Sequence, residues 1–143
     1  MPVKAFKLVC REVIRRNRLE NGTLYVQITR GIAARNHPFP PNTSPSLVLT
    51  AKSIFNTHNL SPVSGEEVIT VNDQRWERCD IKSISLLPNI LAKQNAKEAD
   101  CYEAWMVDHE GFITEGASSN AWIVDTNGTI ITRALSNRIL GGV

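Results

Sequence analysis

The chain has 143 residues, with 16 Lys and Arg against 14 Asp and Glu, a length that fits one domain of common size or two small pieces. A formal charge of +2 is too small to argue for a nucleic-acid or membrane-surface partner, and no apolar run approaches the length of a membrane span. Cys10, Cys79 and Cys101 are an odd number without close metal-ligand spacing, which points to a reducing compartment and no disulfide framework.

The opening residues have no long apolar core, so a secretory signal is not expected. From about Val3 to Leu19 the pattern is helical. Phe6, Val9, Val13 and Cys10 fall on one face, Lys7, Arg11, Arg15 and Arg18 elsewhere, and Asn21-Gly22 offers a stop. Thr23 to Arg30 alternates Leu24, Val26 and Ile28 with polar neighbours, the period of a half-buried strand. Residues 31–45 are rich in Pro and Asn and read as a loop, and Ser46 to Lys52 reads as a strand antiparallel to the first. Long loops in compact domains are often functional.

Residues 53–65 hold Asn56, Asn59, Ser61, Pro62, Ser64 and Gly65. They read as a linker between a first domain (1–54) and a second (66–143), with the linker proper at 55–65. Glu67 to Asn72 opens a second set of strands. Pro88-Asn89 starts a helix that runs to about Ala99. Tyr102 to Val107 is a strand, Asp108 to Gly111 a turn, and Phe112-Ile113 a short strand. Ala121 to Asp125 and Thr129 to Thr132 form a hairpin around Thr126-Asn127-Gly128, because Asn-Gly favours tight turns.

Four stretches carry chemistry. In Cys79 to Asn89, Lys82 stands between Ile81 and the apolar Ile84, Leu86 and Leu87. An ammonium pressed on apolar surface loses hydration, and its neutral form can condense with an aldehyde or ketone. A lysine that only lays its stem over a hydrophobic surface fits the same pattern. In the long loop, Arg35-Asn36-His37 offers a guanidinium fork and an imidazole to a carboxylate, or is simply solvated. Ile113 to Asn120 places the single acid Glu115 before Gly116, Ala117, Ser118 and Ser119, a turn able to approach a ligand closely or a plain polar turn. Gly141-Gly142 at the tail would cradle a phosphate if a helix followed.

Together and in this order, the lysine stretch, the Glu115 stretch and the Gly141-Gly142 tail resemble the fold-type IV pyridoxal-phosphate aminotransferases. That group includes D-amino-acid and branched-chain aminotransferases and aminodeoxychorismate lyase. Arg35-Asn36-His37 after Thr29-Arg30-Gly31, with the run Arg75 to Lys82, most resembles the D-amino-acid branch. The resemblance implies an α+β fold: part of a small α/β domain, then the start of a β-rich, pseudo-barrel cofactor domain, with pyridoxal 5'-phosphate between them. It implies that Lys82 holds the cofactor as a Schiff base and then moves the substrate proton. It places Glu115 at the pyridine nitrogen, Ser118, Ser119 and Asn120 along the polar edge, Leu140 against the ring, and Gly142 and Val143 at the phosphate. Arg35 and His37 would grip the substrate carboxylate.

By the same resemblance the substrates are a D-alanine-type donor and a 2-oxo acid acceptor, and the intact protein is a cytoplasmic homodimer. Residues that the family uses before and after this stretch have no counterpart here, so the resemblance implies a segment truncated at both ends, weakly active or inactive alone. A non-catalytic fragment is the alternative from another class.

Overall fold

The computed structural model describes residues 1–54 and 65–142. The chain forms two compact units, Met1–Ser61 and Pro62–Val143. The expected linker 55–65 lies outside the described residues except for Gly65, and so does Val143.

In the first unit, helix α1 (Val3–Arg16) packs against strand β2 (Ser46–Ser53), which pairs antiparallel with β1 (Gly22–Thr29). The helix ends three residues earlier than its periodicity implies. Asn17 Nδ2 donates to the Val13 carbonyl at 2.8 Å, and the backbone N–H groups of Arg18 and Leu19 donate to Arg15 and Ile14. Arg18 takes the left-handed conformation (φ 51°) in the place usually held by glycine. Gly22 is therefore not the stop; it opens β1, where a Cβ would collide with the Lys52 carbonyl oxygen.

Register pairs Leu24 with Ala51, Val26 with Leu49 and Ile28 with Leu47, so one sheet face collects the apolar side chains, as the alternation implies. Of the β1 residues on it only Leu24 is half-buried, while Ile28 is 70% exposed. Helix α1 lies against β2, and the far end of β1 is left uncovered within the unit.

The second unit is built on a three-stranded sheet, order β3-β4-β5. Strand β3 (Val68–Asn72) runs parallel to β4 (Glu103–Val107), joined by a crossover that contains helix α2 (Leu87–Glu98). Strand β5 (Ile113–Gly116) pairs antiparallel with β4. Ala92 and Ala96 of α2 meet Ala104 and Met106 of β4 and Ala117, with Ile69, Val71 and Cys101 packed around them. Small residues on both partners let helix and sheet approach closely. A separate hairpin pairs β6 (Trp122–Val124) with β7 (Ile130–Thr132). Asp125 Oδ1 accepts the N–H groups of Asn127 and Thr129, and Gly128 takes φ 82°, as the Asn-Gly signal implies.

Candidate active site

The parallel pairing of β3 and β4 puts the segment after β3 beside β5. Asp73 and Arg75 follow β3 directly, and they face Thr114 and Glu115 of β5. In a regular strand two successive side chains point to opposite faces. Here the β4–β5 register pairs Trp105 with Gly116 but Val107 with Ile113, which leaves one extra residue on β5. The bulge re-aims the strand locally, and both Thr114 and Glu115 reach Arg75. Glu115, expected in a turn, therefore belongs to a strand, and the turn begins after Gly116.

Arg75 is the hub, its side chain only 6% exposed. Its Nε and Nη2 edge forms a fork with Asp73, at 3.0 and 2.7 Å. Nη1 donates to Glu115 Oε1. Nη2 also reaches the Arg138 carbonyl at 3.1 Å and Thr114 Oγ1 at 3.3 Å. The Thr114 hydroxyl lies 2.7 Å from Asp73 Oδ2. Burial works against charge on Arg75, but the two carboxylates outweigh it and raise its pKa above the ordinary value. Burial likewise opposes ionisation of Asp73; hydrogen bonds from the Arg75 side chain, the Thr114 hydroxyl and the Arg75 amide overcome it and hold the carboxyl below its usual range.

Glu115 is 5% exposed. Besides Arg75, its oxygens accept from Asn120 Nδ2 at 3.0 Å and from the Leu140 amide at 3.1 Å. Asn120 also donates to the Leu140 carbonyl at 3.0 Å, so the Asn120 and Leu140 segments are tied together at the carboxylate. Gly142 lies beside them, where a Cβ would sit 3.0 Å from Asn120 Oδ1. The segment leading to Lys82 is fixed to the same tail: the Cys79 amide donates to the Asn137 carbonyl at 2.8 Å, and Asn137 Nδ2 to the Glu77 carbonyl. Cys79 is a small buried thiol, as expected, and burial pushes its pKa up.

Lys82 itself is exposed, and this corrects the expectation of an amine pressed on apolar surface. Ile81, Ile84, Leu86 and Leu87 are exposed too, Ile84 at 72%. Residues 81–86 form an irregular stretch before α2, and no element of the described unit covers them. Lys82 takes part in no ion pair among the described residues. Two open depressions beside α2, of about 530 and 580 Å³, include neither Lys82 nor Glu115, and neither brings reactive groups together.

Ser118 and Ser119 answer to a residue the sequence reading did not single out. Glu103, 3% exposed at the start of β4, accepts from Ser118 Oγ at 2.8 Å, Ser119 Oγ at 3.1 Å and the Ala104 amide at 3.0 Å, with Lys93 Nζ 3.3 Å away. Burial raises the pKa of this carboxyl, but those donors prevail and hold it below the usual range. A Cβ on Gly116 would collide with Ser119 Oγ, so only glycine lets the turn close this tightly. Asn89 Nδ2 adds a bond to the Ala117 carbonyl at 2.9 Å. The sequence signals that could have marked these residues are the acid and arginine two apart at Asp73 and Arg75, and a glutamate opening an otherwise apolar strand at Glu103.

Arg35 and His37 belong to the first unit, in the loop between β1 and β2, and both are exposed. The loop is shaped by Arg30, whose guanidinium carbon lies 3.3 Å from the centroid of the Phe39 ring. Gly31, at φ 108°, passes close to the Ser44 backbone. No cluster of three or more metal-ligating side chains occurs among the described residues, and no described helix is long and apolar enough to cross a membrane.

Known proteins share this sequence and this fold. The D-alanine aminotransferase of Staphylococcus haemolyticus is 43% identical over 137 residues, covering 94% of this chain and 47% of that protein. That of Bacillus licheniformis is 39% identical over 110 residues, covering 77% and 38%. The chain thus spans about half the length of the curated relatives it matches. Among solved structures, the branched-chain aminotransferase of Escherichia coli superposes with a TM-score of 0.80 at 21% identity, covering 100% of this chain and 49% of that one. A second branched-chain aminotransferase, solved with pyridoxamine 5'-phosphate and designated T.th. by its source, gives 0.85 at 23%, covering 100% and 48%. Both likenesses show an α+β fold of this kind, as the sequence implies. The model of the amino-transferase class IV family matches residues 1–143, and the chain belongs to that family.

Proposed function

We propose that this chain carries the amine and the ring-facing carboxylate of a pyridoxal 5'-phosphate-dependent aminotransferase acting on D-amino acids. The observation that carries the reading is Glu115: a buried carboxylate whose every described partner is an N–H donor, set beside glycine and small residues. Such a group suits a cationic ring N–H and would keep it protonated. The donor set at Asn120 and Leu140 and the close approach at Gly142 fit the edge of a planar ring.

When bound, the cofactor supplies an electron sink for the substrate's α-carbon. The chain's residues do the rest. Lys82 Nζ is the nucleophile toward the cofactor's aldehyde and, once displaced by the substrate amine, carries the proton to and from the α-carbon. Its exposure leaves it accessible to both. Glu115 holds the ring nitrogen, with Asn120 and the Leu140 segment set around it. Ser118 and Ser119 serve through the turn they form, since their hydroxyls are taken up by Glu103. Gly142 and Val143 would approach the phosphate. Arg35 and His37 would grip the substrate carboxylate in a charge-assisted pair and so select the hand of the substrate. A homodimer in the cytoplasm accords with this reading.

Identities of 39–43% to D-alanine aminotransferases favour a D-alanine-type donor and a 2-oxo acid acceptor over the branched-chain or lyase alternatives. The test is donor exchange: the protein is offered D- and L-alanine with a 2-oxo acid, and new amino acid is measured. A preference for the D-donor supports the proposal. A reversed preference sinks it.

A further inference from the structure

The described carboxylates of the second unit that are buried fall into three groups. Asp108 pairs with Arg133 at 2.9 Å, and Glu103 with Lys93 at 3.3 Å, one cation to each anion. Asp73 and Glu115 differ, because both lean on the single guanidinium of Arg75. Arg138 lends this cluster its backbone carbonyl, and its guanidinium enters no ion pair among the described residues. Cys79 beside it is a thiol whose ionisation burial opposes. Two anions and one cation leave one negative charge in a place nearly closed to water.

The geometry points to Asp73 as the positioning residue that sets this charge. It takes the two-pronged Nε/Nη2 edge of Arg75, the strongest face a guanidinium offers to a carboxylate. Glu115 is left the single Nη1 donor. Arg75 is thereby half spent on Asp73 and cannot neutralise Glu115, which keeps its charge for a cation on its other side. Without Asp73 the same guanidinium would balance Glu115 one to one, and the demand for a protonated ring nitrogen would fall. This rests on the reading that Glu115 faces that nitrogen.

The test uses pyridoxal 5'-phosphate labelled with ¹⁵N in the ring, bound to the chain and followed by NMR against pH. The shift reports the protonation of that nitrogen directly, apart from any turnover. In the unaltered chain the nitrogen is expected to stay protonated at least one pH unit above the free cofactor, a tenfold change in the equilibrium. Asp73→Asn should lower that titration by about one unit, and Arg75→Gln should raise it, which loosened packing would not do. Asp73→Glu should restore it. Thr114→Val, which removes a hydrogen bond to Asp73 but no charge, should leave the titration within a few tenths of a unit.

If the nitrogen titrates as in free cofactor in the unaltered chain, Glu115 does not face it and both the inference and its foundation fail. If it is held protonated equally in the unaltered chain and in Asp73→Asn, the function stands and the role of Asp73 is refuted. Equal shifts in Asp73→Asn and Thr114→Val also refute it.

Discussion

Replacing Arg75 by Met keeps much of the stem and removes the one cation that Asp73 and Glu115 share. Both carboxylates would then sit in a nearly water-free patch with no counter-charge, and the Arg138 carbonyl would lose its donor. Removing one partner of a buried ion pair costs about 3–5 kcal/mol. A small domain has about 5–15 kcal/mol in all, so the variant should stand near the edge of folding. With a urea dependence of about 1–1.5 kcal/mol per molar for a unit of this size, the midpoint should fall by about 2 M or more, read by far-ultraviolet circular dichroism.

The pH dependence adds a second constraint. In the unaltered chain Asp73 is held below its usual range. Its contribution is full above the unfolded value, about 3.9, and is lost as pH falls through the lower folded value. In Arg75→Met two like charges share the site, so one carboxyl should take up a proton more readily than in the unfolded chain, and acidification relieves the strain. The gap between the two proteins should therefore narrow from pH 7 to pH 4. A midpoint within 0.5 M of the unaltered chain, or a gap that is constant with pH, would refute the account of the cluster.

Glu103→Gln should cost about 1–3 kcal/mol, because an amide turns one set of N–H groups toward the hydroxyl and amide donors that Glu103 now accepts. Its stability should also be flatter than that of the unaltered chain below about pH 4.3, the ordinary glutamate value, since the stabilisation from Glu103 is lost as pH falls through its lowered pKa; parallel acid profiles would count against this. Gly116→Ala should cost about 1–3 kcal/mol by forcing the turn open against Ser119, and hydrogen exchange at the Gly116 amide, which donates to the Ser119 carbonyl at 2.8 Å, should speed up. An unchanged rate there would show that the turn absorbs the methyl group. Gly31→Ala should destabilise the first unit, since it adds a Cβ against the Ser44 carbonyl at a left-handed φ; an unaltered thermal midpoint would contradict that.

What was legible in the sequence was local. The period of β1, the helix from Pro88 and the Asn127-Gly128 turn each follow from spacing or from one residue's backbone freedom, and the structure agrees to within a few residues. Glu115 stood out as a lone acid before glycine. What was not legible came from pairing at a distance. Arg75 and Glu115 are 40 residues apart and meet because β3 and β4 run parallel and β5 carries a bulge, and neither can be read from a period of two. The exposure of Lys82 was missed for the same reason. An apolar run shows what could cover an amine, but only the packing decides whether it does.

The central claim is that the amine of Lys82 is the one that condenses with a carbonyl under the influence of Glu115. The most direct measurement is to incubate the chain with pyridoxal 5'-phosphate, reduce with hydride and map the labelled peptide, in the unaltered chain and in Lys82→Ala. The account predicts a single dominant label on Lys82, lost in the variant. A label spread evenly over Lys4, Lys7, Lys52 and Lys97, unchanged by Lys82→Ala, would contradict it.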